Sequence, residues 1–208
     1  MKMVKRTGRV LVLGAVTAAV TGLAAGPALA VAATWTVSPG GNIMTKPATV
    51  TLIDTTTGFA GSCTSSSATG RLRNGSGLPG PGIGTLSSFI LPNCHFDGLP
   101  ITLTPKHLPW LLNAMSYSSG VTTGTITGIH IRLTGPCLAV IDGTSPIADN
   151  GKVMVTYTNS TDQLTVLNSG SNLHFYMSGC SALHIHSGDH AAFSGSYPVI
   201  PAQTITSP

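Results

Sequence analysis

An all-β fold, an antiparallel sandwich or barrel, is what this sequence predicts, on three observations. Glutamate, a good helix former, occurs nowhere in the chain. Beyond residue 32 the composition is dominated by Thr, Ser, Gly, Val and Ile, which suit strands and turns. Apolar residues recur at alternate positions in short runs bounded by Gly, Pro, Asn or Ser, the period of a half-buried strand.

Residues 1–32 are set apart from that fold. "MKMVKRTGRV" carries Lys2, Lys5, Arg6 and Arg9, an apolar run follows, and Ala28-Leu29-Ala30 overlaps a second small-residue option ending at Ala32. This pattern reads as a secretory signal peptide with cleavage near Ala30 or Ala32. The apolar run is interrupted by Gly and Thr and is short for a membrane span. There is no twin arginine, and no cysteine follows the cleavage site, so general secretion without a lipid anchor is expected. Residues 33–208 then form a single β-rich domain of roughly 175 residues, enough for one good core. Once the four basic leader residues are removed, 6 Lys and Arg balance 6 Asp. The basic character of the whole chain thus belongs to the leader and gives no support to nucleic-acid binding.

In order, the strand candidates are "TWTVS" (34–38), "ATVTLID" (48–54), "IHIRLT" (129–134), "LAVIDGT" (138–144), "KVMVTYT" (152–158), "QLTVL" (163–167) and "NLHFYM" (172–177). Asn159 to Asp162 reads as a hairpin connection. "RNGSGLPGPGIG" (73–84) is a breaker-rich loop unfit for a central strand. "LPWLLNAMSY" (108–117) is the one helix candidate, but its early Pro109 and short length favour a core strand with Trp110, Leu112 and Ala114 on one face.

The four cysteines, Cys63, Cys94, Cys137 and Cys180, make an even set, which in an exported chain implies two disulfides with three possible connectivities. Cys63 closes "GSC" and Cys137 closes "GPC", each after a strand-like run; Cys94 and Cys180 each end an apolar stretch. The repetition suggests two related halves, 33–117 and 118–208. It favours pairing Cys63 with Cys94 and Cys137 with Cys180, each bridge contributing roughly 3–4 kcal/mol on a loop-entropy account. No C-x-x-C occurs, which argues against a thiolate zinc site or a redox motif.

"WTVSPGG", "GVTTGTITGI", "VTYTNSTDQLTV" and "GC…GDHAAFSGSYPV…QTITSP" together resemble a group of small secreted, β-rich actinobacterial proteins with no assigned activity. The resemblance spans nearly the whole exported portion. It implies an exported β protein with paired cysteines and carries over no catalytic residue.

The stretch that looks most like chemistry is "LHIHSGDHAAF" (183–193). On a strand His184 and His186 would share the outer face while Leu183 and Ile185 point inward, and His190 could join them on zinc or copper. The segment resembles the His-x-His-x-x-Gly-Asp stretch of copper–zinc superoxide dismutases. It is one residue too tight, and none of the further ligands follows. The same alternation turns His130, Arg132, His174 and Tyr176 outward, so several histidines share one side of the sheet. With no fixed third ligand beside His184 and His186, the plainer reading is a solvent-facing strand with no metal and no cofactor.

There is no Gly-x-Ser-x-Gly elbow and no phosphate loop. The six aspartates, Asp54, Asp97, Asp142, Asp149, Asp162 and Asp189, are scattered among turn-forming residues. No catalytic residue is predicted. The expectation is a secreted or cell-surface β protein, non-enzymatic, with a binding or structural role toward an extracellular or cell-envelope partner. It has no transmembrane anchor after cleavage and no nucleic-acid partner. Two alternatives stand beside it: an exported metal-binding protein or hydrolase using His184, His186, Asp189 and His190, and a carrier of a lipid-like ligand.

Overall fold

Alternation in the sequence becomes alternation of burial. In Gly151–Thr158, Val153, Val155 and Tyr157 point into the core, while Lys152, Met154 and Thr156 are only half-buried. The same pattern recurs through the computed structural model, which describes residues 34–177 and 180–208; residues 1–32, expected to be a signal peptide, lie outside the described residues.

Sixteen strands form among the described residues. The first eight are β1 (Thr34–Ser38), β2 (Gly41–Thr45), β3 (Ala48–Asp54), β4 (Ala60–Leu72), β5 (Gly75–Pro79), β6 (Gly84–Ile90), β7 (Cys94–Phe96) and β8 (Leu99–Lys106). The rest are β9 (Trp110–Ser118), β10 (Val121–Thr134), β11 (Leu138–Asp142), β12 (Gly151–Thr158), β13 (Gln163–Val166), β14 (Leu173–Met177), β15 (His190–Ile200) and β16 (Thr204–Thr206). All their pairings are antiparallel. They make a three-stranded sheet, β16-β1-β5, and a thirteen-stranded one.

Three long strands organise the large sheet, and each changes neighbours along its length. β4 lies between β3 and β7 at its start and between β2 and β6 at its end. β10 lies between β9 and β12 as far as Thr127, then between β8 and β11 from Ile131. β15 begins between β3 and β14 and ends beside β13 and β2. Following neighbours gives two returning paths. One runs β3-β4-β7-β8-β10-β11-β14-β15 and back; the other runs β2-β4-β6-β9-β10-β12-β13-β15 and back. The sheet is therefore ringed without being a simple up-and-down barrel. The change of partners in β10 falls on a bulge between Thr127 and Ile129, where Gly128 adopts φ +85°, a conformation that suits glycine.

The interior is filled by side chains from the inner faces, including Phe96 edge-on to Phe175 and Phe89 edge-on to both Trp110 and Tyr197. Two small apolar cavities remain, about 40 and 60 Å³. The small sheet sits against the second path through Ile205, which faces Leu72, Leu112 and Val199. Polar contacts fix it there. The Tyr157 hydroxyl donates toward Gln203 O (2.9 Å) and Asp162 Oδ1 (3.0 Å), and Asn159 Nδ2 donates to Ile205 O (2.9 Å). Burial pushes the Tyr157 phenol well above its usual range, so it stays protonated and can donate.

Both disulfides take the favoured pairing. Cys63–Cys94 joins residues directly opposite on β4 and β7, and Cys137–Cys180 ties the β10–β11 connection to the segment after β14. The hairpin at Asn159–Asp162 forms between β12 and β13. The 108–117 segment is strand β9, with Trp110, Leu112 and Ala114 inward.

Two expectations are corrected. The 73–84 stretch holds a strand, β5, but at the edge of the small sheet, where Gly and Pro cost little because one row of hydrogen bonds is not needed. Residues 183–188 are not a strand: a 3-10 turn covers Ser181–Leu183, and His184 takes φ +52°. The segments 33–117 and 118–208 exchange strands throughout, since β2 and β3 pair with β15 and β8 and β9 pair with β10.

Two stability outcomes follow. Tyr157→Phe removes the donor shared by Asp162 and Gln203 O and should lower unfolding free energy by about 1–3 kcal/mol in a denaturant titration. Cys137→Ser with Cys180→Ser should cost about 3–4 kcal/mol on the loop-entropy account, while leaving the far-ultraviolet β spectrum intact.

Candidate functional site

Register places a row of ionisable residues on one outer face. In the hairpin folded about Gly135–Cys137, Ile131 faces Ile141, so His130 comes opposite Asp142. Lys106 is opposite His130, Asp142 opposite His174, and His174 opposite His190. Lys106, His130, Asp142, His174 and His190 thus follow one another across β8, β10, β11, β14 and β15. Opposed residues in an antiparallel pair share a face, and the neighbours Ile131, Ile141, Leu173, Phe175 and Ala191 are buried in the core, so the row lies outside.

Outward placement does not make the row uniformly exposed. His130 and Asp142 are buried because the connection from β11 to β12 folds back over them. The Asp142 carboxylate draws that loop down. Oδ1 accepts the backbone N–H groups of Gly143 (2.6 Å), Asn150 (3.2 Å) and Gly151 (3.2 Å), and Oδ2 accepts that of Asp149 (2.9 Å). The close approach requires Gly143, where a Cβ would stand 2.2 Å from Asn150 Oδ1. On the other side, the Tyr176 hydroxyl and His174 Nδ1 both donate to Gly143 O, at 2.7 and 3.1 Å. The His174 and His190 rings pack 4.2 Å apart.

The loop delivers Asp149 to the row. Asp149 Oδ1 lies 2.9 Å from His130 Nδ1 and 2.5 Å from His107 Nδ1. His107 comes from the β8–β9 connection, and its ring stands 4.7 Å from that of His130. His130 Nδ1 also lies 3.0 Å from Asp142 Oδ2, so two carboxylates share one imidazole nitrogen. His107 and Asp149 keep 56% and 41% of their side-chain surface, against 10% for His130. The cluster is therefore a half-open pocket with one buried wall. The hydrogen bond from His107 holds the Asp149 carboxyl below its usual range; desolvation opposes this, and the charge of His107 and His130 assists it. Two imidazole nitrogens and a carboxylate oxygen within 4.8 Å of one another are a donor set for a metal ion.

The histidines singled out in the sequence are not brought together. His184 Nδ1 donates to Asp97 Oδ2 at 2.8 Å, and its ring stacks on Phe59 at 4.6 Å. His186 turns back to Asp189, 3.3 Å away, and keeps 76% of its side-chain surface. His190 stands at the far end of the outer row beside His174. Asp189 serves locally, accepting the His186 backbone N–H at 2.6 Å. Leu183 and Ile185 are buried as expected, although a turn and not a strand puts them there.

His107 and Asp149 were not singled out from the sequence, because their meeting depends on strand pairing and on a loop that doubles back. One signal was present. A hairpin centred on Gly135–Cys137 places His130 opposite Asp142 by counting alone.

Comparison with known proteins gives no match to a protein family, a characterised protein or a solved structure.

The electrostatics can be checked directly. A carboxyl held low in the folded state contributes stability above its unfolded value of about 3.9, and loses it as pH falls through the lower folded value. In His107→Ala the Asp149 carboxyl should titrate at higher pH by carbon NMR; an unchanged titration would remove His107 as its cause. Asp142→Ala leaves four backbone donors and an imidazole without their acceptor and should cost at least about 3 kcal/mol. Asp149→Ala, at the exposed end, should lower stability far less than Asp142→Ala in a denaturant titration.

Proposed function

We propose that the protein is exported and acts outside the cell or at its surface as a non-enzymatic binding or structural protein. Its outer histidine face is the surface offered to an extracellular or cell-envelope partner. The observation that carries this reading is the disposition of the six aspartates. Asp54 accepts the N–H groups of Thr56 and Thr57, Asp162 holds Tyr157 and Gln203, and Asp142 holds the β11–β12 loop. Asp97, Asp149 and Asp189 pair with histidines. Each carboxylate has at least one local structural partner, the buried Asp54 Oδ2 accepting no hydrogen bond, and among the described residues no serine or threonine hydroxyl is hydrogen-bonded to an imidazole. That arrangement favours display over hydrolysis.

Two disulfides are compatible with an oxidising location, and among the described residues no helix is long and apolar enough to cross a membrane. A hydrolase built on His184, His186, Asp189 and His190 has weaker support, since those histidines point to separate partners. A lipid-like carrier has weaker support too, because the two apolar interior cavities hold only about 40 and 60 Å³, and the larger hollows of about 450 and 410 Å³ are open and carry polar residues such as Arg71, Arg73, Asn42 and Ser87.

The test has two parts. The full chain expressed in an actinobacterial host should appear in the medium or at the cell surface with a new N-terminus at Val31 or Ala33 by mass spectrometry; an uncleaved intracellular chain would count against export. The oxidised protein should be retained on isolated cell envelope and lose that retention in His174→Ala/His190→Ala. Equal retention of both proteins would remove the histidine face from the reading.

A further inference from the structure

We propose that His107, His130 and Asp149 form a binding site for a divalent transition-metal ion, zinc foremost. The inference rests on reading the outer histidine face as a binding surface, and it names one ligand for that face.

The donor atoms come from three separate parts of the fold: the β8–β9 connection, strand β10 and the end of the β11–β12 loop. Each residue offers one donor atom, an imidazole nitrogen of His107 and of His130 and a carboxylate oxygen of Asp149, and these lie within 4.8 Å of one another. Around a tetrahedral zinc with bonds near 2.0–2.1 Å, neighbouring donor atoms stand about 3.3 Å apart. Asp149 Oδ1 now sits 2.9 Å from His130 Nδ1 and 2.5 Å from His107 Nδ1. Moving Asp149 Oδ1 away from each imidazole nitrogen by roughly 1 Å or less therefore reaches that spacing. The movable members are the exposed His107 and Asp149; His130 is fixed in β10.

Charge and donor type agree with the geometry. Two imidazoles with a carboxylate suit zinc, copper, nickel or iron and are poor ligands for calcium, which takes six or more oxygens. Asp149 brings one negative charge. Asp142, 3.0 Å from His130 Nδ1, brings a second beside the ion. Asp142 is fully buried and committed to four backbone N–H groups, so it anchors the loop that carries Asp149, and an ion on His130 Nδ1 replaces the contact of that nitrogen with Asp142. Three protein ligands leave a fourth position. With His107 and Asp149 half exposed, that position opens to solvent, where a water or a donor group from a partner completes the shell. The nearest Lys106 is opposite His130 in register and exposed; it turns no donor atom into the cluster that a metal could use.

The experiment is a calorimetric zinc titration of the oxidised protein beginning at Ala33, with cobalt absorption as a second readout of coordination. His130 is buried, so the variants are His107→Ala and Asp149→Asn, with His184→Ala/His186→Ala as the control. One equivalent of zinc should bind. Affinity should fall by at least about 100-fold in His107→Ala and Asp149→Asn, with the folded β spectrum retained, and should stay unchanged in the control. Cobalt should give intense visible bands that zinc displaces and His107→Ala abolishes. Absence of stoichiometric binding, binding indifferent to His107 and Asp149, or loss confined to the His184/His186 control would overturn the site. Cleavage and envelope retention are measured independently, so a failed titration leaves the broader reading standing, and failed retention leaves the metal site standing.

Discussion

Hydrogen-bond satisfaction along three long strands is the constraint on which this architecture depends. Strands of 13, 14 and 11 residues, β4, β10 and β15, expose backbone donors and acceptors on both edges over their whole length. Most of their neighbours are shorter. Each long edge is therefore covered by two strands in succession, and in β10 the changeover falls on the bulge at Gly128. Once three strands must each serve two sets of neighbours, the sheet has to return on itself twice. The small sheet then closes over the second path, fastened by Tyr157, Asn159 and Gln203.

What was legible in the sequence is what alternation and local chemistry encode. The absence of glutamate and the runs of period two gave the all-β class, and Asn159–Asp162 gave its hairpin. Trp110, Leu112 and Ala114 gave the inner face of β9. The repetition of sequence around the cysteines favoured the pairing found in both bridges. Pairing between distant strands was not legible, because alternation tells which face a residue takes and not which strand lies beside it. His107 is the clearest case. Nothing near it in sequence marks it, and it matters only because β8 runs beside β10 and the loop after β11 returns to Asp149.

The histidines show how face and exposure come apart. Alternation correctly turned His130 and His174 outward, yet His130 is covered by a loop that a single buried carboxylate holds in place. His184 and His186, more eye-catching in sequence, are separate side chains with separate aspartate partners. Among the described residues every ion pair joins histidine to aspartate, and the lysines and arginines take no part.

The position of β15 near the end of the chain bears on how the protein comes to be folded at all. Both returning paths pass through it, and it is the strand that joins β14 and β13 to β3 and β2. Until residues 190–200 are available, neither path closes, and β2 and β3 keep an unpaired edge despite being among the earliest residues made. Long-range closure of this kind is slow, because distant segments must meet before any pairing is gained. Pairing along both paths is therefore gained together, when β15 docks.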